Sequence, residues 1–358
     1  MPDFNFCSID PMLSPEDLCT SLPLSGTIRK NVMQGREALQ NILERKDPRR
    51  FAIIGPCSIH DPVAGMDYAR RLRELQEKVR DVLLLVMRVY FEKPRTTIGW
   101  KGYINDPDLN STFQIEKGMK KARQFMLDVC QLGLPVGAEV LDLISPHYLG
   151  DLISWTAIGA RTTESQTHRE MSSGLASPVA FKNGTNGDID IAVNAILSAS
   201  MPHSFLGIGN KGRVAILRTN GNRHGHLVLR GGDVHPNYDT VSVSLAEAAL
   251  TRAGLTANIV IDCSHANSHK NPLLQSMVLT DVVRQIRSGN KSLVGIMLES
   301  NIAAGKQTIP SDLSQLKYGC SITDGCIDWE STKIMILEMA AILRESSTHA
   351  ANKQVPAC

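Results

Sequence analysis

The chain is poor in aromatic residues: Phe, Trp and Tyr make up 5% of its 358 positions. That scarcity argues against a surface that stacks nucleic-acid bases. Its formal net charge is only +2, so no global field draws it to nucleic acid or to a membrane surface. No apolar run approaches the roughly 20 residues needed to span a bilayer. Met1–Pro11 lacks the basic and apolar regions of a signal peptide, which argues against secretion. Eight cysteines are present, but no Cys-x-x-Cys pair. Widely spaced in a chain this long, they read as reduced thiols of a cytoplasmic protein. The expectation is a cytoplasmic globular protein with neither nucleic acid nor membrane as partner.

What the chain does have is repetition. Eight apolar runs read as buried strands: Phe51–Ser58, Leu83–Tyr90, Leu134–Val140, Trp155–Arg161, Pro178–Asn183, His224–Arg230, Asn258–His265 and Ser292–Ser300. They lack polar alternation, as expected when both faces of a parallel sheet are covered. Helical patterns follow them at Pro62–Arg80, Gln114–Leu132, Pro146–Ser154, Glu164–Gly174, Ile189–Ser200, Val243–Ala253, Leu273–Ser288 and Trp329–Arg344. Strand and helix alternating in this way predict an α/β fold, a TIM (β/α)8 barrel, over residues 46–345. Residues 1–45 read as an N-terminal extension for regulation or assembly, with helical starts at Ser14-Pro15 and Thr27. Residues 346–358 read as a polar tail. An inserted β-hairpin is expected over 205–219. It contains Gly-x-Gly-x-x-Gly from Gly207 to Gly212, but a β-type run follows where a dinucleotide site needs a helix.

The strand ends carry the chemistry. In such a barrel all C-terminal ends open on one face, where active sites lie. The polar endpoints are Cys57, Arg88, Glu139, Arg161, Lys182, Arg230, His265 and Glu299, and Lys93 and Arg95 follow the second strand. Six cations (Arg88, Lys93, Arg95, Arg161, Lys182 and Arg230) would converge on one mouth and repel one another without an anionic ligand. Their number suits two phosphates and a carboxylate. Cys57, His265, Glu299 and Asp324 would share that face as thiolate, imidazole and carboxylates. A mixed set of this kind suits one divalent Mn, Fe, Co or Zn ion rather than Ca or Mg. Glu139 and Asp262 are competing carboxylates, and His60, His168 and His269 competing imidazoles.

Several motifs occur in order: Gly55-Pro-Cys-Ser-Ile-His60, Lys93-Pro-Arg-Thr-Thr97 with Gly99-Trp-Lys-Gly102, Gly159-Ala-Arg-Thr-Thr-Glu-Ser165, Phe181-Lys-Asn-Gly-Thr185, Arg230-Gly-Gly232 and Asp262-Cys-Ser-His-Ala-Asn267. Over residues 10–345 the chain resembles the class I 3-deoxy-D-arabino-heptulosonate 7-phosphate (DAHP) synthases, of the feedback-regulated bacterial and fungal type. The resemblance implies a metal-dependent condensation of phosphoenolpyruvate with erythrose 4-phosphate, which opens the shikimate pathway to aromatic amino acids. It implies Cys57, His265, Glu299 and Asp324 as metal ligands. Arg88, Lys93, Arg161, Lys182 and Arg230 would bind phosphoenolpyruvate, and Arg95 and Thr96 erythrose 4-phosphate. Lys93 is the candidate proton donor, with a pKa expected to be lowered by neighbouring arginines; Arg161 and Asp324 join it in the catalytic set. Glu139 has a guessed role, orienting a cation or the attacking water.

The resemblance also implies an inhibitor pocket at Pro146, His147, Ala176, Phe205 and Gly207, and a homodimer or homotetramer. Gly207 stands where phenylalanine-sensitive relatives tend to have Ser, which favours tyrosine, with phenylalanine or tryptophan as alternatives. Ala176 departs from the commoner Ser. The nearest alternative functions are a synthase using arabinose 5-phosphate and a metal-dependent phosphosugar aldolase; a non-catalytic amino-acid sensor would require a broken site.

Overall fold

The computed structural model describes residues 5–95 and 99–352, with side chains as far as residue 346. Its strands are β1 (Arg50–Gly55), β2 (Leu83–Arg88), β3 (Val136–Glu139), β4 (Trp155–Ile158), β5 (Val179–Lys182), β6 (Ser204–Ile208), β7 (Val214–Arg218), β8 (His226–Leu229), β9 (Ile259–Asp262) and β10 (Leu293–Glu299). Its helices are α1 (Pro15–Ser21), α2 (Gly26–Leu43), α3 (Pro62–Val79), α4 (Ile115–Gln131), α5 (Ser145–Leu149), α6 (Gln166–Ser172), α7 (Asp190–Ser200), α8 (Thr240–Arg252), α9 (Gln275–Arg287) and α10 (Trp329–Asn352). Eight strands close a parallel barrel in the order β1-β2-β3-β4-β5-β8-β9-β10, and β10 pairs back to β1. The strands β6 and β7 form a separate antiparallel hairpin. This is the expected TIM barrel.

Two apolar layers hold it. Inside the barrel, Phe51, Ile53, Val86, Trp155, Ala180, Val228, Val260 and Met297 pack against one another. The alternate residues, such as Ala52, Ile54, Leu85 and Phe181, face outward and meet the helices. Period-two alternation thus feeds two cores, which is why the strands read as continuous apolar runs. Trp155 donates its indole N–H to His226 Nε2 at 3.0 Å inside the barrel. Burial lowers His226 to about 4, so its ring is neutral and free to accept.

The extension is part of the packing. Ser25 caps α2, accepting from Ile28 N at 3.2 Å. Leu39, Ile42 and Leu43 of α2 join the interior cluster and plug the N-terminal end of the barrel. Ser14 and Asp17 form a capping box on α1, and Glu16 N donates to Asn210 O in the hairpin turn at 2.9 Å. The extension and the hairpin therefore touch. No helix follows the glycines of Gly207–Gly212, as the sequence suggested.

Two boundaries differ from expectation. The final helix continues past Arg344 to Asn352, through helix-forming Glu and Ala. The strands end earlier than the apolar runs do. Arg88, Glu139, Lys182 and Glu299 are true last residues, whereas Cys57, Arg161 and Arg230 lie in the loops beyond and His265 opens a short 3-10 turn, His265–Ser268.

Candidate active site

The thiol of Cys57 and the carboxylates of Glu299 and Asp324 bring one ligand atom each within 4.8 Å of one another. Cys57 Sγ lies 3.6 Å from Asp324 Oδ2. His265 stands beside this group, with Nε2 3.8 Å from Glu299 Oε1. Its Nδ1 is held from behind by Asp262 Oδ2 at 2.9 Å and by Ser264 Oγ at 2.8 Å. A carboxylate behind an imidazole fixes the ring and leaves the other nitrogen facing the site, as it does behind metal ligands. The donor set, with its spacing and this support, fits a divalent transition-metal ion. Asp262 therefore lies on the Nδ1 side of His265, opposite the nitrogen that nears Glu299. His168 has both nitrogens occupied, by Ser165 Oγ and Leu141 O at 2.9 Å each.

Cations surround the group. Arg88 is fully buried, with Nη2 2.5 Å from Glu299 Oε1 and its guanidinium 3.6 Å above the Tyr90 ring. Among the described residues its Nε and Nη1 have no hydrogen-bond partner. Lys93 Nζ donates to Cys57 Sγ at 3.0 Å, and Lys182 Nζ is 3.4 Å from Asp262. A cavity of about 310 Å³ opens above, lined by Lys93, Arg95, Glu139, Arg161, Lys182, Arg230, His265 and Asp324. The structure brings the expected set together, except Thr96, which lies outside the described residues. It also adds Lys270, which sequence reasoning missed. Lys270 sits in a turn with no strand or helix periodicity to flag it.

Electrostatics revise one expectation. Burial would lower the Lys93 ammonium, but Cys57 and Glu299 outweigh it, and the pKa lies above the ordinary value rather than below. Acids outnumber arginines in its immediate surroundings. Burial would raise the Glu299 carboxyl; His265, Arg88 and Lys93 overcome it and hold the group below its ordinary range. Burial and Glu299 push the Cys57 thiol up. A thiolate facing two carboxylates needs a cation stronger than Lys93 alone.

A second cavity of about 430 Å³ lies on the outer side of the barrel. Pro146, His147, Ala176, Phe205 and Gly207 all line it, beside Thr156, Ser177, Leu217 and Arg218. A Cβ built on Gly207 would lie 2.5 Å from Leu217 Cδ1. The room that Gly leaves is thus taken up by Leu217, and the steric argument for a phenol hydroxyl there has to pass through that side chain.

Fold and site together describe a parallel barrel whose mouth gathers a thiol, an imidazole and carboxylates that could hold a metal beside an array of cations. The model of the DAHP synthetase I family matches residues 29–337, and the chain belongs to that family. It is 50% identical over 328 residues to the Tyr-sensitive phospho-2-dehydro-3-deoxyheptonate aldolase of Salmonella typhimurium, covering 92% of each chain. It is 48% identical over 338 residues to the Phe-sensitive form of Escherichia coli, covering 94% of this chain and 96% of that one. The phospho-2-dehydro-3-deoxyheptonate aldolase structure from Francisella tularensis superposes with a TM-score of 0.93 at 44% identity, covering 95% of this chain and 99% of that one.

Proposed function

We propose that this chain is a DAHP synthase: it joins C3 of phosphoenolpyruvate to the aldehyde of erythrose 4-phosphate, adds water at C2 and releases phosphate. The observation that carries the reading is the single cavity in which Lys93, Arg161, Lys182 and Arg230 meet Asp324 and His265. Cys57, His265, Glu299 and Asp324 would hold one divalent metal, which would supply a Lewis acid for the aldehyde carbonyl.

The chain's own residues do the rest. Arg88, Arg161, Lys182 and Arg230 bind the phosphate and carboxylate of phosphoenolpyruvate and fix its face. Arg95 and Thr96 take the second phosphate. Lys93 Nζ, held protonated among acids, donates to the oxygen that gains charge when the new bond forms. Glu139 lines the same cavity and orients a cation or the attacking water. The outer cavity is the site of feedback inhibition by an aromatic amino acid, tyrosine in our reading. Assembly as a dimer or tetramer would follow the family.

The test is phosphate release with each substrate and a divalent metal omitted in turn. All three are required if the reading is right. Release without erythrose 4-phosphate, or activity insensitive to chelator, would overturn it. Titrating tyrosine, phenylalanine and tryptophan into the same assay tests the outer cavity; inhibition by none of them would sink the regulatory reading.

A further inference from the structure

The turn that carries His265 is unusual in its backbone. His265, His269 and Lys270 all adopt left-handed conformations, with φ of 54°, 50° and 58°. Such conformations strain residues other than Gly and persist only where surrounding structure over-determines them. Here the surroundings do so. Ala266 N and Asn267 N both approach Arg230 O, at 3.2 and 3.3 Å. Asn267 Nδ2 donates to Leu229 O and Asp262 O, at 3.1 and 2.9 Å. Lys270 N closes the turn on His265 O at 2.6 Å.

This strained turn delivers two side chains to the mouth. His265 reaches the metal group, and Lys270 lines the cavity beside Arg95 and Asp324. Lys270 makes no ion pair among the described residues, unlike the buried Lys182 on Asp262. A lysine serving only for solubility would not need two successive left-handed residues to place it.

The cations fall into two tiers. Lys93 and Lys182 are buried on the floor, while Arg95 and Lys270 are exposed at the rim. A substrate whose carbonyl is held near Asp324 and His265 would leave its far end to the exposed part of the same cavity lining, which includes Arg95 and Lys270. A phosphate dianion there is better matched by two cations than by Arg95 alone.

We propose that Lys270 is a binding residue for the phosphate of the aldehyde substrate, forming with Arg95 a two-cation clamp at the rim. This rests on the synthase reading above. The test compares Lys270→Met and Lys270→Arg with the parent protein, using erythrose 4-phosphate and unphosphorylated erythrose as alternative acceptors. Losing a charge-assisted contact should raise KM for erythrose 4-phosphate roughly ten- to hundredfold in Lys270→Met. KM for phosphoenolpyruvate should change less than about twofold, Lys270→Arg should recover part of the loss, and turnover of erythrose should match the parent. An unchanged KM for erythrose 4-phosphate in Lys270→Met, or equal losses with erythrose, would overturn the clamp while leaving the synthase reading intact. A parent protein that needs no second substrate would overturn both.

Discussion

Glu92 offers a sharp test of how charge is held near the cavity. Its carboxyl lies next to Lys93 in sequence, and Ser145 Oγ approaches Glu92 Oε2 at 3.4 Å. Burial, and then the neighbouring Asp142, raise its pKa from 4.5 to about 8. Between those values the folded chain keeps a proton that the unfolded chain has lost. Stability therefore falls as pH rises from 4.5 toward 8 and levels off above. At 1.36 kcal/mol per unit, the ionised group costs at most about 5 kcal/mol, of which about 2 kcal/mol develops between about pH 6.5 and pH 8.5. Glu92→Gln keeps the shape and cannot ionise. Urea unfolding should show the variant gaining about 2 kcal/mol on the parent over that interval, with no change in m. A stability difference independent of pH would show that Glu92 is not a buried, protonated carboxyl, and would refute the reasoning.

Three further perturbations follow from the geometry. Cys57→Ser should lower metal affinity about ten- to hundredfold or more, measured as metal retained after dialysis; full retention would remove the thiol from the ligand set. Leu39→Ala on the helix that plugs the barrel should cost about 2–5 kcal/mol in urea unfolding, because Leu39 is completely buried in the interior cluster; a cost near zero would mean the plug is not needed. Gly231 has φ of +82°, and a Cβ there would lie 2.6 Å from Asn267 N. Gly231→Ala should therefore displace the His265 turn and cost at least about 1–3 kcal/mol, together with metal affinity; a silent substitution would show that the turn does not depend on that approach.

The barrel was legible because its evidence is periodic. Apolar runs at Phe51–Gly55 or Leu83–Met87 are buried on both faces, and each declares a strand without help from the rest of the chain. The hairpin was legible for a local reason as well: Gly209 N donates to Arg213 O at 2.8 Å, a turn that the glycines announce. The extent of the strands was not legible. Apolar character continues through Cys57 or Gly159–Ala160 after the ladder has stopped, and hydropathy does not distinguish a paired residue from one packed in a loop.

The site shows the same division more sharply. Residue types at the mouth could be read, since cations and metal donors are rare at the ends of buried strands. Their partnerships could not, because each is a distance between elements remote in sequence. Glu299 meets Arg88 across 211 positions, and Cys57 meets Asp324 across 267. The expected lowering of Lys93 failed for this reason: the sequence places arginines beside it, whereas the fold places Cys57 and Glu299 there, and the sign of the shift follows the fold. Lys270 escaped notice on the same ground. Its sequence neighbours are polar turn residues, and only the folding of that turn over Arg230 O turns an ordinary surface lysine into a rim cation of the cavity. Charge that acts at a site is set by which chain segments the barrel mouth brings together, so electrostatic roles assigned from sequence neighbours alone hold only where those neighbours remain the nearest charges.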